Sequence, residues 1–380
     1  MLKDVSTINP KTKDLPNEFV YIDLDSVENG ILTKKNKICI EDAPSRAQRL
    51  LDVNDILFQT VRPYQMNNLY FDYDDDNYVA STGYAQIKSK INSRYLYHYL
   101  HYSKFVNEVL KRCTGTSYPA INANDLKKIK IKIPSDLDEQ MFIGSIFDRI
   151  DEKIELLEKK HQYYQYFKKF LMQQIFAQKL RFNDNNNEPY ENWEGLQLKD
   201  IISLQGGYAF KSELFKDEGV PIIRISNISP NNSVILDDLV YYDKLDNDSD
   251  FIIKKGELII AMSGATTGKV GVYDLDQIAY INQRVGLFKQ ISNELYYPFL
   301  IQYTLSDTFK RELQKTLVAG AQPNISKKEI ESFKINLPQY GEQKKIADLL
   351  FNIDLKINTV KNQSTEISQF KKGLLQQMFV

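Results

Sequence analysis

The decamer Phe167-Lys-Lys-Phe-Leu-Met-Gln-Gln-Ile-Phe176 returns 203 residues later as Phe370-Lys-Lys-Gly-Leu-Leu-Gln-Gln-Met-Phe379, identical at seven positions. The same offset aligns Glu139-Gln140 with Glu342-Gln343, Ile150-Asp151 with Ile353-Asp354, and Lys153-Ile154 with Lys356-Ile357. One gap further back, Ile133-Pro134 falls on Leu337-Pro338. A repeat covering half the chain means that one packing problem is solved twice.

The repeated stretch reads as a long helix. Between Glu139 and Lys179 there is no proline, and Gly144 is the sole glycine. Apolar residues recur in steps of four and three at Ile143, Phe147, Ile150, Ile154, Leu157, Tyr164, Leu171 and Ile175. The second copy supplies Ile346, Leu350, Ile353, Ile357, Val360, Ile367, Leu374 and Met378. That period keeps one stripe facing a partner helix. The polar breaks also coincide, His161 with Ser364 and Lys168 with Lys371. Two unrelated core helices would have no reason to share those breaks. An antiparallel pair about a pseudo-twofold axis is the simplest solution, and a parallel pair with another connection stays open. Acidic residues at the start and paired lysines near the end suit the dipole of a helix about 40 residues and roughly 60 Å long.

The remaining sequence repeats more loosely. Leu2-Lys-Asp-Val5 matches Leu198-Lys-Asp-Ile201, and strand-like runs occur at Phe19–Leu24, Ile38–Ile40 and Ile56–Val61. Val79–Lys88 aligns with Tyr280–Lys289, and an amphipathic helix over Tyr95–Leu110 with one over Tyr297–Leu313. A basic strand is expected at Ile129–Ile133, opposite Phe333–Leu337. Polar residues 183–192 read as a linker before Trp193, the sole tryptophan. The repeat would close on itself if Val380 lay near Leu2.

Chemistry is sparse. Cys39 and Cys113 are too few for a disulfide framework or thiolate metal cluster, and they suit a reducing cytoplasm. Neither a signal segment nor a membrane span is evident. A net charge of −1 means that any polyanion site must be local. Gly264-Ala-Thr-Thr-Gly-Lys-Val270 departs from a phosphate loop in spacing and in Val270; a turn facing a ligand such as a DNA phosphate suits it better. His98 and His101 read as surface or satisfied core residues, and Asp148, Glu158 and Lys160 as a solvated helix face. No catalytic constellation or metal site is expected.

What remains is polar, basic and loop-borne. In the first half it is Arg46 and Arg49, then Arg62, Tyr64 and Gln65. In the second it is Lys211, Arg224, Ser226 and Asn227, then Ser263, Thr266, Thr267 and Lys269, then Asn282, Gln283 and Arg284. Arginine can pair with guanine in a bidentate manner and Asn or Gln with adenine.

These motifs together resemble the specificity (S) subunit of type I restriction–modification enzymes, over essentially the whole chain. They are Gly207-Tyr-Ala-Phe-Lys-Ser212, Pro221–Asn227, Met262–Lys269, Gly320-Ala-Gln-Pro-Asn-Ile-Ser326 and Glu342–Ala347, with a variant set at Ser45–Arg49, Leu57–Tyr64 and Ala80–Gly83. The matching loops add Ser81, Thr82, Tyr118, Asn122, Gln322 and Asn324 to the expected DNA-binding set. The first half lacks the Trp-containing lead-in that Trp193 gives the second.

The resemblance implies a mixed α/β (α+β) fold. Two target-recognition domains, 1–137 and 198–340, would be separated by two long antiparallel coiled-coil helices at 138–182 and 341–380, with 183–197 as linker. Each domain would read half of a bipartite DNA target, and the helices would set the gap and dock two methyltransferase (M) subunits. The chain itself would be a non-catalytic subunit without a cofactor. S-adenosylmethionine, ATP and Mg would belong to the methyltransferase and restriction (R) subunits. The whole complex would be a type I site-specific deoxyribonuclease and adenine-N6 DNA methyltransferase. A self-contained nucleic-acid enzyme and a structural coiled-coil adaptor are the alternatives.

Overall fold

The structure, a computed structural model, describes residues 1–12, 14–229, 231–319 and 324–379. The chain forms two compact units: Met1–Lys160 with Val360–Val380, and His161–Thr359. Each unit therefore borrows the end of a helix that begins in the other.

The first unit contains an antiparallel sheet in the order Ser6–Ile8, Tyr84–Ser89, Ile56–Gln59, Leu69–Tyr70. A second sheet runs Asn36–Cys39, Glu18–Ile22, Tyr78–Ser81, Ala47–Leu50, with Glu18–Ile22 and Tyr78–Ser81 parallel. The second unit repeats both orders. One sheet is Ile202–Gly206, Val285–Gln290, Leu258–Ala261, Val270–Val272; the other is Val240–Tyr242, Val220–Ile223, Ala279–Ile281, Ile252–Ile253, again with its middle pair parallel.

Continuous apolar runs mark strands covered on both faces. Ile56 and Phe58 join the core beneath the helices, whereas Leu57 joins the core between the sheets, with Val20 and Ile22. Leu258 and Ile260 separate from Ile259 and Ala261 in the same way.

The expected helices over Tyr95–Leu110 and Tyr297–Leu313 are each broken. Ser93–Tyr99 is followed by Ser103–Leu110, and Tyr297–Leu305 by Asp307–Ala319. In the second unit Ser306 makes the break. Its hydroxyl donates to the Tyr303 carbonyl at 2.6 Å and accepts from the Phe309 N–H at 3.3 Å. The periodicity survives across the break, so sequence alone merges the pieces.

The long helices are Leu137–Phe176 and Tyr340–Met378. In the first unit Phe147 stacks on Phe379 with ring centroids 5.5 Å apart, and Asp151 pairs with Lys371. In the second, Lys168 pairs with Asp354 at 2.7 Å and Arg181 with Glu342 at 2.7 Å. Residue numbers rise on one helix as they fall on the other, so the packing inside each unit is antiparallel. The repeated lysines are thus the cations of two equivalent, partly buried pairs. A misregistered seam would leave both charges unpaired.

Two expectations need correction. The first long helix stops at Phe176, not at 182. Gln178 adopts φ 57°, with its N–H on the Ile175 carbonyl (2.8 Å) and the Lys179 N–H on that of Gln174 (2.9 Å). This left-handed cap satisfies the terminal carbonyls. The basic segment Ile129–Ile133 is not a strand. Its counterpart Lys334–Leu337 is one because Glu194–Gln197 pairs with it, and a strand needs that partner. At the other end of the chain, Phe379 lies in the core that holds Leu2; Val380 is outside the described residues.

His98 and His101 are both core residues, and Asp148 is more than a solvated face. His98 is fully buried, with Nε2 2.8 Å from Asp148 and Nδ1 without a partner; Asp151 and Lys371 also face the ring. Burial holds its pKa below 6.5 despite the carboxylates. At His101, Nδ1 lies 2.9 Å from the Tyr97 carbonyl and Nε2 3.2 Å from Asn68 Nδ2; burial, chiefly, pushes its pKa down to about 3. A base with a lowered folded pKa costs no stability above its unfolded value of about 6.5. Below it only the unfolded chain takes up the proton, so stability falls with pH. Acidification from about pH 7.5 to about pH 5 should lower the melting temperature of the first unit selectively. Replacing His98→Gln and His101→Leu, the residues at the corresponding positions 302 and 305, should abolish that dependence in unit-resolved hydrogen exchange.

Candidate nucleic-acid interface

Four loops of the first unit are tied side by side by backbone hydrogen bonds. The Thr82 N–H donates to the Arg46 carbonyl (2.9 Å), Thr60 to Gly83 (3.0 Å), Arg62 to Pro119 (2.7 Å) and Ile121 to Thr60 (3.0 Å). The result is a polar ridge. Arg62 takes a left-handed backbone with φ 54°, and its guanidinium lies 4.3 Å from the centroid of the exposed Tyr118 ring. A non-glycine residue in that conformation is held there by its surroundings. Arg46, Tyr64 and Gln65 are exposed, and Gln65 accepts from buried Gln59 at 2.8 Å.

Other expected members of this ridge have structural jobs. Arg49 is partly buried; its Nε has no partner and its pKa is lowered by burial. Ser81 is buried and accepts the Gly83 N–H at 3.2 Å. Asn122 caps the helix Ala123–Lys127 through the Asp125 N–H at 2.9 Å and also donates to the Asp125 carboxylate at 2.7 Å. Thr82 is held mainly through its backbone.

The second unit uses the same frame. The Met262 N–H donates to the Arg284 carbonyl (2.9 Å), Ile325 to Met262 (2.9 Å) and Asn282 to Ile223 (2.9 Å). Ser326 caps Lys327–Glu331 just as Asn122 caps its helix. Met262, Gln283, Arg284, Asn324, Ser326 and Lys327 border a cleft of about 380 Å³. Gln283, Arg284, Asn324 and Lys327 are exposed there.

Gly264–Lys269 turns the chain between Leu258–Ala261 and Val270–Val272, so it is a hairpin rather than a phosphate loop opening a helix. Gly268 has φ 83°, and a Cβ there would overlap the Leu313 side chain. Thr267 donates to the Gly264 carbonyl at 2.7 Å; the Thr266 hydroxyl is buried without a partner; Ser263 and Lys269 are half-buried at the turn.

Arg224 and Asn227 are built into the fold. Arg224 donates to the Asp238 carbonyl at 2.6 Å, and its Nε is buried without a partner. Asn227, 3 % exposed, accepts the Arg224 N–H and donates to the carbonyls of Ile235 and Asp237. Its amide cannot also read a base. Ser226 and Lys211 are exposed; Asn282 accepts the Gln283 N–H at 2.6 Å; Gln322 lies outside the described residues.

Sequence reasoning passed over Lys327 and Tyr208. Lys327 follows the capping Ser326 and joins the cleft. Tyr208, 47 % exposed, follows Gly207, where a Cβ would overlap the Ile281 and Asn282 carbonyl oxygens. The paired glycines signalled that close approach; nothing local signalled Lys327.

Among the described residues no group of three or more His, Cys, Asp or Glu could hold a metal ion, and no helix is long and apolar enough to cross a membrane. The family model for the type I restriction modification DNA specificity domain matches residues 1–163 and 190–369. The chain belongs to this specificity family. It is a type I restriction–modification specificity subunit, whose task is DNA sequence recognition, and such subunits are non-catalytic and need no cofactor themselves.

It is similar to the specificity subunit of type I restriction enzyme MjaVIII from Methanocaldococcus jannaschii, 26 % identical over 96 % of this chain and 85 % of that one. The MjaIX specificity subunit of the same organism is 24 % identical over 98 % of this chain and 85 % of its own length. The S subunit structure from M. genitalium shares the fold with a TM-score of 0.63 at 15 % identity, over 100 % of this chain and 95 % of that one. A chain solved in work on complex assembly of the type I system has a TM-score of 0.60 at 20 % identity, over 100 % and 96 %.

In this specificity subunit, neighbouring Ser226 and Asn227 should separate architecture from recognition. Asn227→Ala strands one N–H and two carbonyls and should cost the second unit about 2 kcal/mol in denaturant unfolding. Ser226→Ala should leave unfolding within about 0.5 kcal/mol of the parent.

Proposed function

We propose that each unit reads one half of a bipartite DNA target and that the long helices set the gap and dock two methyltransferase subunits. The observation carrying this reading is the duplicated frame. The same backbone bonds hold Thr60 and Met262 between equivalent loops, yet the side chains displayed differ. One scaffold with two reading surfaces suits two different half-sites. The target-recognition domains would be 1–137 and 198–340, the spacers the helices that follow, and 183–197 the linker.

Arg46, Arg62, Tyr64 and Tyr118 are our candidates for base and phosphate contact in the first domain. Gln283, Arg284, Asn324, Lys327 and Lys269 are those in the second. Buried Asn227 and Ser81 would hold the loops. Arginine and glutamine can recognise guanine and adenine edges, each bidentate pair contributing about 1–3 kcal/mol of discrimination.

The chemistry would lie with partners in the cytoplasm. Methyltransferase subunits would carry S-adenosylmethionine for adenine-N6 methylation, and restriction subunits would use ATP and Mg for cleavage. Their basic surfaces would supply phosphate contact that a chain of net charge −1 does not supply overall.

The test is genome-wide adenine methylation in cells expressing the chain with its cognate methyltransferase subunit. The expected result is one bipartite motif with a fixed gap; methylation indifferent to this chain, despite a stable complex, would overturn the reading. Arg62→Ala should relax one half-site and Arg284→Ala the other. Removing one heptad from each long helix shortens it by about 10 Å, which should narrow the gap by about three base pairs. An unchanged gap would exclude the spacer role.

A further inference from the structure

The two units differ at one corner where the repeat predicts sameness. In the second unit Glu342 at the start of the long helix is fully buried beneath the chain's own linker. Arg181 donates to both its carboxylate oxygens (2.7 and 2.9 Å), and the Trp193 indole N–H donates at 2.9 Å. Beyond Trp193, Glu194–Gln197 pairs with Lys334–Leu337. Lys345 donates to the Asn183 carbonyl at 2.7 Å. Carboxylate, helix start and strand edge are thus covered together.

In the first unit the same positions are bare. Glu139, the counterpart of Glu342, is exposed, with no hydrogen-bond or ion-pair partner among the described residues. The counterpart of the paired strand, Lys130–Ile133, has no strand partner there either. The alignment is set by matching bonds: the Leu2 N–H donates to the Ile129 carbonyl as Leu198 does to Phe333, both at 2.9 Å. Lys132 turns its N–H toward the Tyr99 hydroxyl at 3.2 Å. By alternation, Ile131 and Ile133 present their N–H and C=O groups on the opposite, unpaired edge. Beside this edge lie three large exposed apolar side chains, Leu137 (56 %), Met141 (52 %) and Phe142 (64 %). Met141 and Phe142 stand where the second unit has Lys344 and Lys345. An unpaired edge flanked by exposed apolar groups is a template for another strand.

We propose that this corner of the first unit docks an extended segment of a protein partner. The segment adds a strand to Ile131–Ile133, places a basic side chain and an aromatic N–H or O–H donor on Glu139, and covers Leu137, Met141 and Phe142. The second unit supplies the template for the occupant: Arg181, Trp193 and Glu194–Gln197 do each of these things for Glu342 and Lys334–Leu337. One departure shapes the partner. Gly341 is packed under Tyr190, where a Cβ would lie 2.6 Å from its hydroxyl, and the first unit has Asp138 there. The docked segment therefore has no ring at that place. Strand addition supplies affinity through the main chain, and the carboxylate and apolar groups supply selectivity. This site is independent of the DNA-reading ridges.

The probe is a fluorescein-labelled synthetic peptide of residues 179–197, added to the full-length chain and followed by anisotropy. It carries the template contacts, and the second unit's site is already filled by the chain itself. The expected result is saturable one-to-one binding, weakened by about tenfold or more in both Glu139→Lys and Ile131→Pro. A photoreactive residue at peptide position 193 should cross-link to the stretch around Phe142. Both substitutions fall at exposed or unpaired positions, and circular dichroism melting verifies that the variants are folded. Absence of saturable binding at about 1 mM peptide, binding unchanged in both variants, or cross-links confined to residues 161–359 would each overturn the proposal. Self-association of the chain that Glu139→Lys abolishes would assign the corner to a second copy and overturn the partner assignment.

Discussion

Each unit is closed by the end of a helix that starts in the other, and the closing group is a phenylalanine. Phe379 sits 5.2–5.5 Å, centroid to centroid, from Tyr95, Tyr99 and Phe147 in the first unit. Phe176 packs on Trp193, Phe299 and Tyr303 in the second. Burying one such ring is worth roughly 1.5–3 kcal/mol. The decamer that ends in these phenylalanines recurs because each core needs the same plug. Neither compact unit is a continuous piece of chain.

Behind the plug, register is set by charge. Lys168 with Asp354 and Lys371 with Asp151 are the polar interruptions of otherwise apolar seams. Partly buried pairs add modest net stability, but a slipped seam would strand both charges, so they act mainly through specificity. Gln140 and Gln343 play a related part. Each donates to the carbonyl of the proline preceding its helix at 2.8 Å and accepts an N–H from the neighbouring helical segment. The long helices are thereby fastened to the domains they follow, and the ridges inherit that placement.

A conserved backbone frame also explains why the displayed residues can differ. Arg62 and Arg284 are both exposed beside bonds that use only main-chain atoms, so side chains can change without unmaking the loop. Arg224 and Asn227 are the opposite case. Although they lie in a motif-rich loop, their polar groups are spent on Asp238, Ile235 and Asp237. Loop position and residue type do not distinguish the two cases.

The sequence by itself determined the duplication, the long helices with their apolar stripe and repeated breaks, and the polar loops of each half. These follow from spacing, and spacing is local. Only the tertiary structure decided which residue meets which: that Lys168 answers Asp354, that His98 is buried on Asp148, and that Ser81 and Asn227 face inward while Lys327 joins the cleft. It also decided that Lys334–Leu337 is a strand and Ile129–Ile133 is not, although both read alike. A strand exists through hydrogen bonds to a neighbour, and helical breaks such as Ser306 arise from bonds that periodicity does not record. Pairing is a property of two segments, and one segment's sequence states only half of it.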